Sequence, residues 1–238
     1  MSHLDASKMI RLLQYNNDSE FSLATFFADK IPQEYAILSH TWEAEEVTFE
    51  DLQNGTGTKK AGYNKIRFCG EQARRDGLQY FWIDTCCIDY RSSAEISEAI
   101  NSMYRWYQAC TVCYAYLTDM SNGLNRQDTQ EEFSRSRWFT RGWTLQELIG
   151  PATVEFYGDQ WHSKGQEASL GTKNSLQKEI SEITRIPESV LKTILLPPSY
   201  SIAQKMSWAA NRETTRIEDK AYCLLGLFGV NMRLLYGE

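Results

Sequence analysis

The chain has 238 residues, 42% of them hydrophobic and 24% charged, with a net charge of −6. These values describe an ordinary globular chain, and the acidic balance argues against nucleic acid as the main partner, because phosphate binding needs a basic field. No apolar run approaches the roughly 20 residues that span a bilayer, and the N-terminal MSHLDASKMI lacks the apolar core of a signal peptide, so a cytoplasmic location is expected.

Tyr35–Trp42 (YAILSHTW) opens as a short apolar run that suits a buried strand. In Gly62–Asp76, Tyr63, Ile66, Cys69 and Ala73 recur at helical spacing, and Gly77 follows as a stop. Gln79–Cys86 is aromatic and β-branched and reads as a strand. Ser92 and Glu95 form a candidate capping box ahead of a helical stripe of Ile96, Ile100, Met103 and Tyr107. Thr111–Leu117 is a second buried strand, and Ser121–Arg137 is polar enough for an exposed loop or a loose helix. Trp143–Ile149 is a short helix stopped near Gly150–Pro151, and Thr153–Tyr157 is a further strand.

Alternating strands and helices argue for an α/β fold, a parallel sheet with helices on both faces. From about Leu170 no strand run of similar strength appears. Pro187 suits a helix start, while Ser201–Arg212 and Ile217–Phe228 are helical in pattern, with Thr215 and Glu218 as another candidate capping box. The expected organisation is a core over about 30–160 and a C-terminal helical elaboration over about 170–238, packed on the sheet as one domain. The chain ends at Tyr236-Gly237-Glu238 without linker composition, as a domain of a longer protein would.

Cys69, Cys86, Cys87, Cys110, Cys113 and Cys223 lie in apolar or strand-like contexts and read as reduced, buried thiols. Cys110 and Cys113 have a metal-like spacing, but the only histidines are His3, His40 and His162, so no metal site is expected.

Ligands of open parallel sheets bind outside the carboxyl ends of the strands. Three polar clusters fall there: Ser39-His40-Thr41-Trp42, the run from Asp84 to Asp89, and the run from Arg141 and Trp143 to Glu147 and Leu148. Each has a plainer reading. Glu147 can cap a helix with Thr144, Asp84 can bond backbone amides, and Trp42 and Trp143 can be core. Ser39 and His40 are adjacent in a strand and point to opposite faces, which excludes a nucleophile–base pair and with it a serine hydrolase. A nuclease built on Asp84, Asp89 and Glu95 is disfavoured by the acidic charge and by the ordinary occurrence of acids at helix starts.

YAILSHTW with EVTFEDL, GYNKIRFC, FWIDTCCID, SSAEISEAINSMYRWY, CYAYLTDM, SRWFTRGWTLQELIGP and TTRIEDKAYCLLGLFGVNMRLLYGE run in order through almost the whole chain. Together they resemble the fungal heterokaryon incompatibility (HET) domain. Glu43 and Arg233 depart from the usual Gly and Pro, away from the three clusters. The resemblance implies cell-death signalling when unlike fungal cells fuse. It also implies an N-terminal place ahead of a nucleotide-binding oligomerisation domain and a repeat array that senses the trigger, and activity is expected to require self-association.

The family is further regarded as distantly similar to Toll/interleukin-receptor (TIR) domains, which have a flavodoxin-like sheet. Trp143-Thr144-Leu145-Gln146-Glu147-Leu148 looks like the W-C-L-x-E-L stretch of plant-type TIR domains, with Thr for Cys. By that likeness Glu147 is the catalytic acid for cleavage of NAD+, taken as substrate and not as cofactor. Ser39, His40, Thr41, Trp42, Asp84, Arg141 and Trp143 are then the substrate-binding candidates. The rival expectation is a non-enzymatic module that recruits partners through exposed helices.

Overall fold

The computed structural model describes residues 9–16, 20–120, 126–159, 169–192 and 200–237. His3 and His162 lie outside the described residues. The expected α/β architecture is present, organised on a mixed sheet of seven strands in the order β2-β1-β4-β3-β5-β6-β7. The strands are β1 (Met9–Asn16), β2 (Glu20–Phe27), β3 (Ala36–His40), β4 (Tyr80–Trp82), β5 (Val112–Leu117), β6 (Val154–Gly158) and β7 (Ser169–Thr172). The helices are α1 (Phe49–Gln53), α2 (Tyr63–Arg75), α3 (Asp84–Cys87), α4 (Ser93–Ala109), α5 (Arg126–Arg135), α6 (Thr144–Ile149), α7 (Gln177–Thr184), α8 (Glu188–Leu191), α9 (Ile202–Ala209), α10 (Asp219–Tyr222) and α11 (Leu225–Phe228).

The four central strands are parallel: β3 pairs with β4 and with β5, and β5 pairs with β6. Numbered within that group their order is 2-1-3-4, the flavodoxin-like order, whose switch point lies between β3 and β5. Both flanks are antiparallel. The hairpin of β1 and β2 joins through β1 to β4, and β7 joins β6. The sheet therefore begins at Met9, earlier than the expected core, and it extends to Thr172, within a region expected to be helical.

Alternation along the strands assigns the two faces. Phe68 of α2 packs its ring on Tyr114, Tyr116 and Tyr157. Leu38 and His40, which stand opposite Tyr114 and Tyr116, share that face. Ile37 and Ser39 point the other way, with Trp82, whose indole meets Trp106 and Tyr107 of α4. Helices thus cover both faces, as expected, and every residue of β3 and β5 is buried.

Local signals explain the element ends. Gly77, at φ +76°, takes the left-handed conformation that ends α2, so the stop falls where it was expected. Ser92 Oγ accepts from Glu95 N at 3.3 Å. The Glu95 carboxylate turns to Asp89 N and Arg11, so only half of that capping box forms. The expected strand 79–86 is shorter, because the chain coils into the single turn of α3 at Asp84. The expected helix over 217–228 is two short helices, and Thr215 and Glu218 do not cap it. Thr215 Oγ1 accepts from Arg141, and Glu218 accepts from Gly237 N. A Cβ on Gly226 would stand 2.0 Å from Tyr104 Cβ, which is how closely α11 lies on α4. All six cysteines are buried and free, as the sequence implied.

Candidate functional site

β3 ends at His40, beside the switch point of the parallel strands, and alternation divides its last two side chains between the sheet faces. Ser39 Oγ donates to Glu147 Oε2 and accepts from Trp138 Nε1 at 2.7 Å. His40 Nε2 lies 2.9 Å from Asp84 Oδ1 on the other side. The two residues thus serve separate clusters, as their adjacency in the strand required.

The first cluster is built around Glu147 in α6. Thr144 does not cap it; its hydroxyl donates to the carbonyls of Trp138 and Arg141, and no capping box forms. Glu147 instead reaches across 108 residues of sequence to Ser39, close to Tyr107 of α4, whose hydroxyl donates to the Leu38 carbonyl at 3.3 Å. Only 5% of Glu147 is exposed. Desolvation dominates its titration and, with the nearby Asp84 charge, pushes the carboxyl up to about 8; Ser39, Tyr107 and Arg212 oppose that rise. At neutral pH the side chain is mostly protonated.

Arg212, ahead of the C-terminal short helices, supplies the positive charge. It is buried, and burial lowers its guanidinium to about 10. Nη1 donates to Arg141 O and Thr144 Oγ1, both at 2.8 Å, and Nε donates to Trp208 O at 3.3 Å. Nη2 has no hydrogen-bond partner among the described residues, nor does Nε2 of the buried Gln146. Lys173 closes the far end of α6, with Nζ 3.3 Å from Leu148 O and 2.5 Å from Pro151 O.

The second cluster centres on Asp84, the first residue of α3. Besides His40 it accepts from Trp42 Nε1, at 2.7 Å on the other oxygen, and from Thr85 N at 2.8 Å. Trp42 is not core: half of it is exposed, and its ring meets that of Tyr90 edge to face at 5.2 Å. The buried Thr41 offers its carbonyl to Lys65 Nζ at 3.0 Å. Lys65 also binds Glu46 and lies 3.6 Å from Glu43, which reaches Arg137 at 3.4 Å. Glu43 thus touches the frame of this cluster, against the expectation that it stands apart.

The structure brings Ser39 to Glu147 and joins His40 and Trp42 through Asp84. Arg141 and Trp143 are directed elsewhere. Arg141 Nη2 donates to Thr215 Oγ1 at 3.0 Å, and the partly buried Trp143 packs with Ile100, Tyr222 and Leu225. Trp138, Tyr107 and Arg212 were not singled out in the sequence. Trp138 lay inside a quoted motif, but nothing in its spacing tied it to Ser39. Among the described residues, no group of three or more His, Cys, Asp or Glu side chains is placed to hold a metal ion. No helix among them is long and apolar enough to cross a membrane.

The family model of the heterokaryon incompatibility protein (HET) matches residues 35–130. Over 215 residues the chain is 49% identical to the vegetative incompatibility protein HET-E-1 of Podospora anserina, a match that covers 88% of this chain and 15% of that protein. The chain carries a HET domain. No solved structure matches it. The span of the HET family model holds Ser39, His40, Thr41, Trp42 and Asp84 and stops short of Arg141, Trp143 and Glu147. The HET domain accounts for a small part of its curated relative, so that protein's other parts lie beyond the match.

Proposed function

We propose that this HET domain is a cytoplasmic cell-death effector of vegetative incompatibility and that it acts by cleaving NAD+ to nicotinamide and ADP-ribose. The observation that carries the reading is the placement of Glu147: a buried carboxyl at the switch point of the parallel strands, where open sheets bind ligands. The vegetative incompatibility role rests on the curated relative. Activation by clustering, a following nucleotide-binding oligomerisation domain and a repeat array belong to the same proposal, as does the distant TIR relationship.

The chemistry asks little beyond one anion. When the bond from ribose C1′ to the nicotinamide nitrogen breaks, its electron pair neutralises the ring's positive charge, so the leaving group needs no proton. The ribose becomes oxocarbenium-like, water adds to C1′, and the surplus proton passes to solvent. An ionised Glu147 would stabilise that cation. Burial raises the acid's pKa to about 8 and favours its neutral form. A bound pyridinium ring adds an opposite charge and draws it toward ionisation, in the direction that Ser39, Tyr107 and Arg212 already favour. Trp42, half exposed and fixed by Asp84, offers a ring face for adenine or nicotinamide.

Nicotinamide release by the purified domain, followed against protein concentration and on fusion to an inducible oligomeriser, tests the proposal. Specific activity should rise steeply with clustering, because proximity fixes groups missing from a lone copy. Killing in cells without NAD+ loss at any concentration would favour the recruiting module instead.

A further inference from the structure

Ser39 is fully buried in β3, and a buried hydroxyl must find an acceptor for its single proton. Its neighbours decide which. Trp138 lies in the short helical turn Arg137–Thr140 ahead of α6. Its side chain is also fully buried, with the indole edge to face against Phe139 and Phe156. That packing aims Nε1 at Ser39 Oγ, 2.7 Å away. An indole N–H can only donate. Ser39 Oγ therefore accepts there, and its own proton is left for Glu147 Oε2, the one other group that bonds it among the described residues. The reverse arrangement, with a protonated Glu147 donating to Ser39, would leave the serine's buried proton without an acceptor, a costly state.

We infer that Trp138 is a positioning residue that acts on Glu147 through Ser39. Its N–H commits the serine to donating, so Oε2 is held as an acceptor and, in the neutral acid, the proton sits on Oε1. A donor fixed on Oε2 favours the carboxylate over the acid, and each bond in such a chain polarises the next. Trp138 thereby biases Glu147 toward the ionised form that NAD+ cleavage would use. The other titratable groups that face the carboxyl are Asp84, Tyr107, Cys113, Arg212 and Cys223. They act with or without the indole N–H, so they set the starting point of the titration and not the difference that Trp138 makes. The inference rests on Glu147 as the acid of the proposed site, but it concerns the carboxyl itself and not the substrate.

The infrared carboxyl stretch of Glu147, isolated by subtracting Glu147→Gln, tests it as the domain is titrated. Trp138→Phe keeps an aromatic ring and removes the N–H. It should raise the midpoint of ionisation by roughly 0.5–1 pH unit, a threefold to tenfold fall in the ionisation constant. Ser39→Ala should raise the midpoint by at least about 1 unit. Trp138→Phe should then add nothing, because the indole has lost its route to the acid. An unchanged midpoint in Trp138→Phe, or an equal shift in both backgrounds, would overturn the inference. A second measurement uses the unaltered domain and so survives a variant that fails to fold. The Trp138 Nε1–H proton resonance should move with the midpoint of the Glu147 band and should not move in Glu147→Gln. A resonance that stays fixed through that titration would also overturn the inference. If NAD+ is left intact while these shifts appear, the proposed function fails and the relay stands; cleavage without the shifts removes the relay alone.

Discussion

Asp84 accepts hydrogen bonds from His40 and Trp42 on separate oxygens, and its side chain is 20% exposed. Glu147, reached from the other face of β3, is almost fully buried under Ser39, Tyr107 and the field of Arg212. Two acids at one sheet edge thus have different environments, a pattern by which folds separate the roles of paired acids. Asp84 is a fixed, partly wet anchor for an indole. Glu147 is a dry acid whose charge appears only when its surroundings supply a reason.

The largest expected effect comes from removing one charge at a time. Glu147→Gln keeps an acceptor for Ser39 but no anion, and nicotinamide release by the clustered domain should fall by about 10²–10³ or more. Asp84→Asn should raise KM by about tenfold and leave kcat within a few-fold. Equal losses in kcat for the two variants would erase the distinction.

Stability against pH sharpens it. The folded-state pKa of Glu147 is raised, from 4.5 to about 8. Its neutral form therefore contributes stability that is fully present below about 4.5 and is lost as pH rises through about 8. Over that window Glu147→Gln should remove roughly 3–5 kcal/mol of decline, measured by urea unfolding. Lys173, whose pKa is lowered from 10.5 to about 8, acts in the opposite direction and at higher pH, so the two effects separate.

Arg212→Met should cost about 2–4 kcal/mol, because the carbonyls of Arg141 and Trp208 lose their buried donor. It should also delay the ionisation of Glu147, since Arg212 favours the charged form. The smallest effect belongs to Trp42→Phe, which loses the bond to Asp84 but keeps a ring. Stability should change by about 1 kcal/mol or less, and KM for NAD+ should rise only a few-fold, measured on the clustered domain.

The parallel core was legible because β3 opens on an apolar run, β5 is apolar throughout and α2 ends on Gly77. The hairpin of β1 and β2 was missed. Leu12 and Leu13 are both buried, which breaks the alternation that marks a strand covered on one face. β7 is four residues long with Gly171 at φ +138°, too short and irregular to register as a strand. In the site, the sheet-edge rule and the motif around Glu147 pointed to Ser39, His40, Trp42, Asp84 and Glu147. Arg212 reaches its partner Thr144 across 68 residues, a distance over which no periodicity carries information.

The account turns on whether Glu147 is neutral in the resting domain. Infrared difference spectra, wild type minus Glu147→Gln, report the protonated carboxyl stretch directly as pH is raised. A band that persists at pH 7 and disappears with a midpoint near 8 is the predicted result. A band already lost near 4.5, the ordinary value for a glutamate, would contradict it.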